Sequence, residues 1–156
     1  MRSIPGSVAL AGVLLLGLGL WAVNLQARQA RDTTRKLDLE DLETALRRSL
    51  AVTGTIPPLR ASTWCGTLTT PEHHAVRAEV ERFLRETAKY VKPEKPFPTD
   101  PWFSGSAKDY LYVKTSPVSF ELFADLEAER TNRFVIPACG NVAYDYAVLG
   151  LVRTPL

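Results

Sequence analysis

Apolar and polar positions along the chain fall into three regimes. In the first, from Ser3 to Ala27, no charged residue occurs, and Val8 to Val23 reads VALAGVLLLGLGLWAV. About 20 helical residues cross the hydrocarbon layer of a bilayer. Val8, Leu14, Leu15, Leu16, Leu18 and Leu20 supply the apolar surface such a span needs, and Trp21 near its far end suits the interface. In the second regime Leu39, Leu42, Leu46 and Leu50 recur at spacings of three and four, with Ala45 beside them. That stripe marks the buried face of an amphipathic helix. No Gly or Pro falls between Gly19 and Gly54. One continuous helix is therefore predicted from about Pro5 to Thr53, apolar in its first half and amphipathic in its second. Asp32 with Lys36 and Glu43 with Arg47 are predicted acid-before-base pairs along it.

The third regime begins after Gly54 and Pro57-Pro58. Residues Pro57 to Gly66 read as a linker. Thr70-Pro71-Glu72 predicts a helix start, with a capping residue ahead of proline at the first helical position. Val76, Val80, Phe83, Leu84, Thr87 and Val91 would line the buried face of this second helix, which is predicted to run to about Tyr90. Prolines 93, 96, 98 and 101 make the next segment an extended loop. Then the period changes to two. Tyr110 to Lys114 reads as a strand and Thr115-Ser116-Pro117 as a turn. From Ser119 to Glu127, Phe120, Leu122, Ala124 and Leu126 alternate with Glu121, Phe123, Asp125 and Glu127. This pattern predicts a hairpin with one solvated face. Phe134 to Ile136 and Ala143 to Leu149 offer one or two further strands. The predicted class is α+β: a long N-terminal helix, a second helix and a small antiparallel sheet.

Composition narrows the function. Lys and Arg number 19 and Asp and Glu 17, a net charge of +2, without the basic excess of a nucleic-acid binder. No phosphate-cradling glycine motif and no nucleophile elbow occurs, so no nucleotide cofactor, small-molecule substrate or catalytic set is expected. His73 and His74 are adjacent on a helix, about 100° apart, which suits a solvated face better than a shared metal. Asp100, Asp109, Asp125, Glu127 and Glu129 could offer oxygen ligands to Ca²⁺, but not at EF-hand spacing; solvated carboxylates are the plainer reading. No metal site is expected. Trp64, Trp102 and Phe103 are loop aromatics that either cap a small core or grip a partner. Cys65 and Cys139 pair if the domain faces an oxidising compartment and stay separate thiols if it does not.

The apolar run reads as a transmembrane anchor or as a secretory signal cut after Ala27, where Leu25 fits poorly. A buried soluble helix would need a larger core than the rest of the chain provides. Arg28, Arg31, Arg35 and Lys36 follow the run and only Arg2 precedes it. Taken alone, the positive-inside rule puts the larger part in the cytoplasm.

The order of elements resembles type IV pilins and the pseudopilins of type II secretion, particularly the major-pseudopilin kind. Arg31-Asp32-Thr33-Thr34-Arg35-Lys36-Leu37-Asp38-Leu39 with Leu42 to Leu46 is similar to that family's helix. Gly54-Thr55-Ile56-Pro57 is similar to its helix exit, and Pro98-Thr99-Asp100-Pro101 to the loop before its sheet. Tyr110-Leu111-Tyr112 and Phe120 to Glu127 are similar to its hairpin. The N-terminus departs from the pattern. Gly6 is followed by Ser7-Val8-Ala9-Leu10 rather than by the usual cleavage motif, and no acid appears before Asp32. The resemblance implies a pilin-like fold, with residues 1–27 as the anchor and 28–156 as a globular domain outside the cytoplasmic membrane. It implies membrane lipid and other pilin or pseudopilin subunits, or assembly-platform proteins, as partners, and no catalysis. The alternative is an extracytoplasmic binding module, secreted or anchored, that does not polymerise.

Overall fold

In a computed structural model of the chain, residues 6–68, 70–87, 97–101, 109–129 and 133–150 are described, apart from the side chains of residues 6–12, 14 and 71. Helix α1 spans Gly6–Thr53, 48 residues without interruption and about 70 Å long. It stops where Gly54 takes φ +73°, a conformation open to glycine without a Cβ clash. The Gly54 N–H returns to the Leu50 carbonyl at 2.8 Å, which closes the helix with a left-handed cap.

A four-stranded antiparallel sheet follows, in the order β1-β2-β3-β6. Its strands are β1 (Trp64–Thr67), β2 (Leu111–Ser116), β3 (Ser119–Ala124) and β6 (Tyr146–Gly150). Strand β1 lies in the segment the sequence reads as a linker. Its four residues carry no alternation of their own and become a strand by pairing with β2, Trp64 opposite Lys114 and Thr67 opposite Leu111. Ahead of helix α2 (His74–Thr87), Pro71–His73 form a turn of 3-10 helix. Residues 88–96, including Val91 and the end predicted near Tyr90, lie outside the described residues.

One face of the sheet packs on α1 and α2. Leu39, Leu42, Ala45, Leu46 and Leu50 of α1 and Val80, Phe83 and Leu84 of α2 meet Tyr110, Tyr112, Phe120, Leu122 and Ala124 in a single cluster. Val76 is partly buried against it. The other face is covered in part, although Leu149 on it stays 51% exposed. A two-stranded sheet, β4 (Phe134–Ile136) with β5 (Val142–Tyr144), provides the cover. Leu111, Val113 and Phe123 are buried there with Ile136 and Tyr144. The one-sided hairpin expected from the alternation is thus corrected: Phe123, lodged among acidic residues in sequence, faces a second apolar layer. The disulfide Cys65–Cys139, Cα–Cα 5.7 Å, ties β1 to the turn that links β4 and β5.

Candidate functional site

Two features of α1 stand out among the described residues, an exposed apolar stretch from Leu15 to Val23 and, further along the helix, a knot of charges. In the apolar half, Leu15 is 70% exposed, Leu16 71%, Leu18 63%, Leu20 73% and Trp21 66%. A 3.6-residue period sends these side chains to every side of the helix, so no single face is reserved for the domain. Val8 and Leu14 lie on the helix, with side chains outside the described residues. Among the described residues no helix is long and apolar enough to cross a membrane.

The knot centres on Arg35, whose side chain is 4% exposed. Its Nε donates to Asp100 Oδ2 at 2.6 Å and its Nη2 to Asp100 Oδ1 at 2.9 Å. Its Nη1 reaches Asp32 at 2.9 Å and Glu127 at 2.8 Å. Asp32, fully buried, also accepts the backbone N–H groups of Glu127 and Ala128, each at 2.8 Å. It therefore caps the loop that leaves β3. Arg31 makes a second two-point pair with Glu127, at 2.8 and 2.6 Å. Asp100 donates its backbone N–H to Asp109 at 3.2 Å, and Tyr110 gives its hydroxyl proton to Asp38 at 2.8 Å. Lys36 bonds Glu129. One stretch of helix thus fixes the loop that leads into β2 and the loop that leaves β3.

The electrostatics follow from burial and partners. Burial opposes the Arg35 charge, but the hydrogen bonds to Asp100 and Glu127 outweigh it and hold the guanidinium above its ordinary range. The hydrogen bond from Arg31, resisted by burial and reinforced by Arg35, pulls the Glu127 carboxyl down to about 2. Burial first, then the bond to Asp38, pushes the Tyr110 phenol up. These are signatures of fixed charge states rather than of a proton donor poised near neutrality.

Several sequence expectations change here. Asp100 and Asp109 are buried and engaged, not solvated. Asp32 pairs with Arg35, at i,i+3, and not with Lys36. Glu43 and Arg47 do pair, at 2.7 Å. Among the described residues no group of three or more His, Cys, Asp and Glu side chains is placed to hold a metal ion. His73 is half-buried rather than solvated. Its Nδ1 lies 2.9 Å from both the Thr67 carbonyl and the Thr70 hydroxyl. Its ring stands edge-on to Trp64 at 5.2 Å. Trp64, also against Tyr112 at 5.8 Å, caps the core; Trp102 and Phe103 lie outside the described residues.

Sequence reasoning passed over Lys114. It is 2% exposed, and its Nζ donates to the carbonyls of Ile56 and Pro58, both at 2.8 Å. Tyr112 donates to the Pro57 carbonyl between them. The two side chains thereby pin the turn after α1 to the sheet. A lysine on the inward side of an otherwise apolar strand was the available signal. A depression of about 490 Å³ beside β1 is lined by Thr63, Trp64, Cys65, Val113, Lys114, Thr115 and Ala138. Its single ionisable group is Lys114, already directed at two carbonyls, so no acid–base pair converges there. The chain matches no protein-family model, no curated protein and no solved structure.

Proposed function

We propose that this chain is a non-catalytic, membrane-anchored subunit of pilin or pseudopilin type, with its domain outside the cytoplasmic membrane, working through subunit packing. The observation that carries the reading is the division of α1. One unbroken helix is buried against a sheet through Leu39 to Leu50 and bare through Leu15 to Val23. Exposed leucines on every side of a helix call for a cover, and lipid or neighbouring helices supply it.

Two further observations support the orientation. The Cys65–Cys139 disulfide fits an oxidising compartment. Three of the four cations beyond the apolar run pair with acids of the domain: Arg31 with Glu127, Arg35 in the interior with Asp32 and Asp100, and Lys36 at the surface with Glu129. They serve the fold, which accounts for their presence on an outward-facing side against the positive-inside count.

The test is the intact mass of the protein from membranes, with and without reductant, together with amine cross-linking in those membranes. The reading expects a membrane-bound species that gains two hydrogen masses on reduction and yields a cross-linked ladder. A monomer released from cells and beginning near Arg28 would overturn it in favour of a secreted module.

A further inference from the structure

The side of α1 that the domain buries continues beyond the domain. Arg35, Leu39, Leu42 and Leu46 are buried on it. Seven residues turn an α-helix by about 700°, so steps of seven stay on one face. From Leu42 and Arg35, two such steps toward the N-terminus lead to Arg28 and Trp21. Asn24 and Leu25 flank that line, and the four residues line a depression of about 110 Å³. From Leu15 to Ala30, Leu25 alone is half-buried and the rest are exposed.

The polar groups of this depression are donors in need of acceptors. Arg28 Nε donates to Asn24 Oδ1 at 2.9 Å. That bond occupies the side-chain oxygen of Asn24. It leaves the Asn24 amide N–H groups and both Nη groups of Arg28 without a bond to any described residue. Arg31, Arg35 and Lys36 pair with acids of the domain, and Arg28 is the cation of this segment that does not. N–H donors grouped around a fixed positive charge suit a ligand that is negative and offers acceptors only. Trp21, 66% exposed, and Leu25 add apolar surface on the N-terminal side.

We infer that this depression binds the phosphate of one anionic membrane phospholipid, with Arg28 and Asn24 on its oxygens and the start of the acyl chains along Leu25 and Trp21. The inference rests on the membrane-anchored reading, in which the charge-free run from Ser3 to Ala27 ends at the headgroup level and Arg28 follows it. A zwitterionic headgroup would bring an ammonium group, for which the four lining residues offer no carboxylate. A neighbouring helix is a poorer occupant. About one turn beyond Arg28 the domain closes the same side, where Glu127 holds Arg31 and where Asp32 and Arg35 are buried. A helix running past would collide there, whereas a lipid ends at its headgroup.

The experiment places the full chain in nanodiscs of phosphatidylglycerol and phosphatidylcholine in equal parts. Native mass spectrometry then counts the lipid kept by the released protein. One phosphatidylglycerol should be retained about 5-fold over phosphatidylcholine, and Arg28→Gln should remove that preference. Asn24→Leu and Arg28→Lys preserve the net charge and should each cut it at least ~2-fold, the first by removing donors and the second by removing the paired Nη groups. Arg48→Gln, at an exposed cation on the domain, should leave it intact. Equal retention of the two lipids overturns the site. Full retention by both charge-preserving variants also overturns it, because diffuse surface charge would then suffice. Loss of the lipid to added inorganic phosphate would assign the depression to a free phosphate instead. Lipid retention unchanged by Arg28→Gln, with loss of the cross-linked ladder in membranes, would give the face to a neighbouring subunit. A chain that does not enter nanodiscs overturns the anchored reading as well; one that enters and shows no preference overturns the site alone.

Discussion

Arg35 and Asp100, 65 positions apart, meet in a two-point pair, Nε to Oδ2 at 2.6 Å and Nη2 to Oδ1 at 2.9 Å. The pair is buried, and Arg35 is also the counter-charge of Asp32. Removing the guanidinium takes the buried counter-charge from two interior carboxylates. Arg35→Ala should therefore lower stability by about 3–5 kcal/mol. Arg85→Ala, at an exposed i,i+4 pair with Glu81, should change it by no more than ~0.5 kcal/mol. Denaturant titration of the full-length protein in detergent compares the two, and equal effects would remove the knot from the fold's energetics. Arg35→Lys keeps the charge but not the flat two-point geometry, and should fall between.

Glu127 makes the same knot sensitive to acid. Its carboxyl sits at about 2 against an ordinary 4.5, held there by Arg31 and then Arg35. A carboxyl depressed in the folded state binds its proton more readily when unfolded. Its contribution is thus complete above pH 4.5 and is lost as pH falls through about 2. Glu127→Gln should be less stable than the parent at pH 7, and the difference should shrink across that interval. Denaturation midpoints measured against pH check this; parallel curves would show that Glu127 does not couple to the fold.

Periodicity made α1 and the β2–β3 hairpin readable, because leucines at three and four and an alternation of two each have one simple solution. It could not show β1. Trp64-Cys65-Gly66-Thr67 is too short for a pattern and follows prolines, so only its pairing with β2 defines it. Nor could it show the second layer. Phe123 among acidic neighbours was the hint, but what covers it, Ile136 and Tyr144, comes from beyond the hairpin. The charge knot was hidden for the same reason. Asp32 has cations on both sides in sequence, and its choice of Arg35 over Lys36 is made by Asp100 and Glu127, which converge from two distant loops.

Gly150 at the end of β6 lies opposite Phe120 of β3. A Cβ there would come within 2.2 Å of the Phe120 ring, itself fully buried. Since the ring has nowhere to turn, Gly150→Ala should destabilise the protein by about 1–3 kcal/mol. Phe120→Leu added to it should relieve part of the clash, making the double variant more stable than the two single losses predict. Additive losses in thermal melts would count against contact between the two residues.

The disulfide joins residues 74 apart in sequence, and on the chain-entropy account it contributes about 4 kcal/mol by restricting the unfolded chain. Its place adds a local effect. The β4–β5 layer packs on the sheet through a small cluster, Ile136 and Tyr144 on Leu111, Val113 and Phe123, helped by the Tyr144 hydroxyl on the Asp109 carbonyl at 3.2 Å. The helix-side cluster is larger and includes no residue of β4 or β5. Cys65→Ala with Cys139→Ala should therefore do two things, lowering global stability and releasing residues 134–144 ahead of the rest. Amide exchange should rise in β4 and β5 well before it rises in β2 and β3, where the backbone remains clamped between α1 and its neighbours. Uniform acceleration across all strands would mean that the cross-link acts only through the unfolded chain and that the outer layer holds without it.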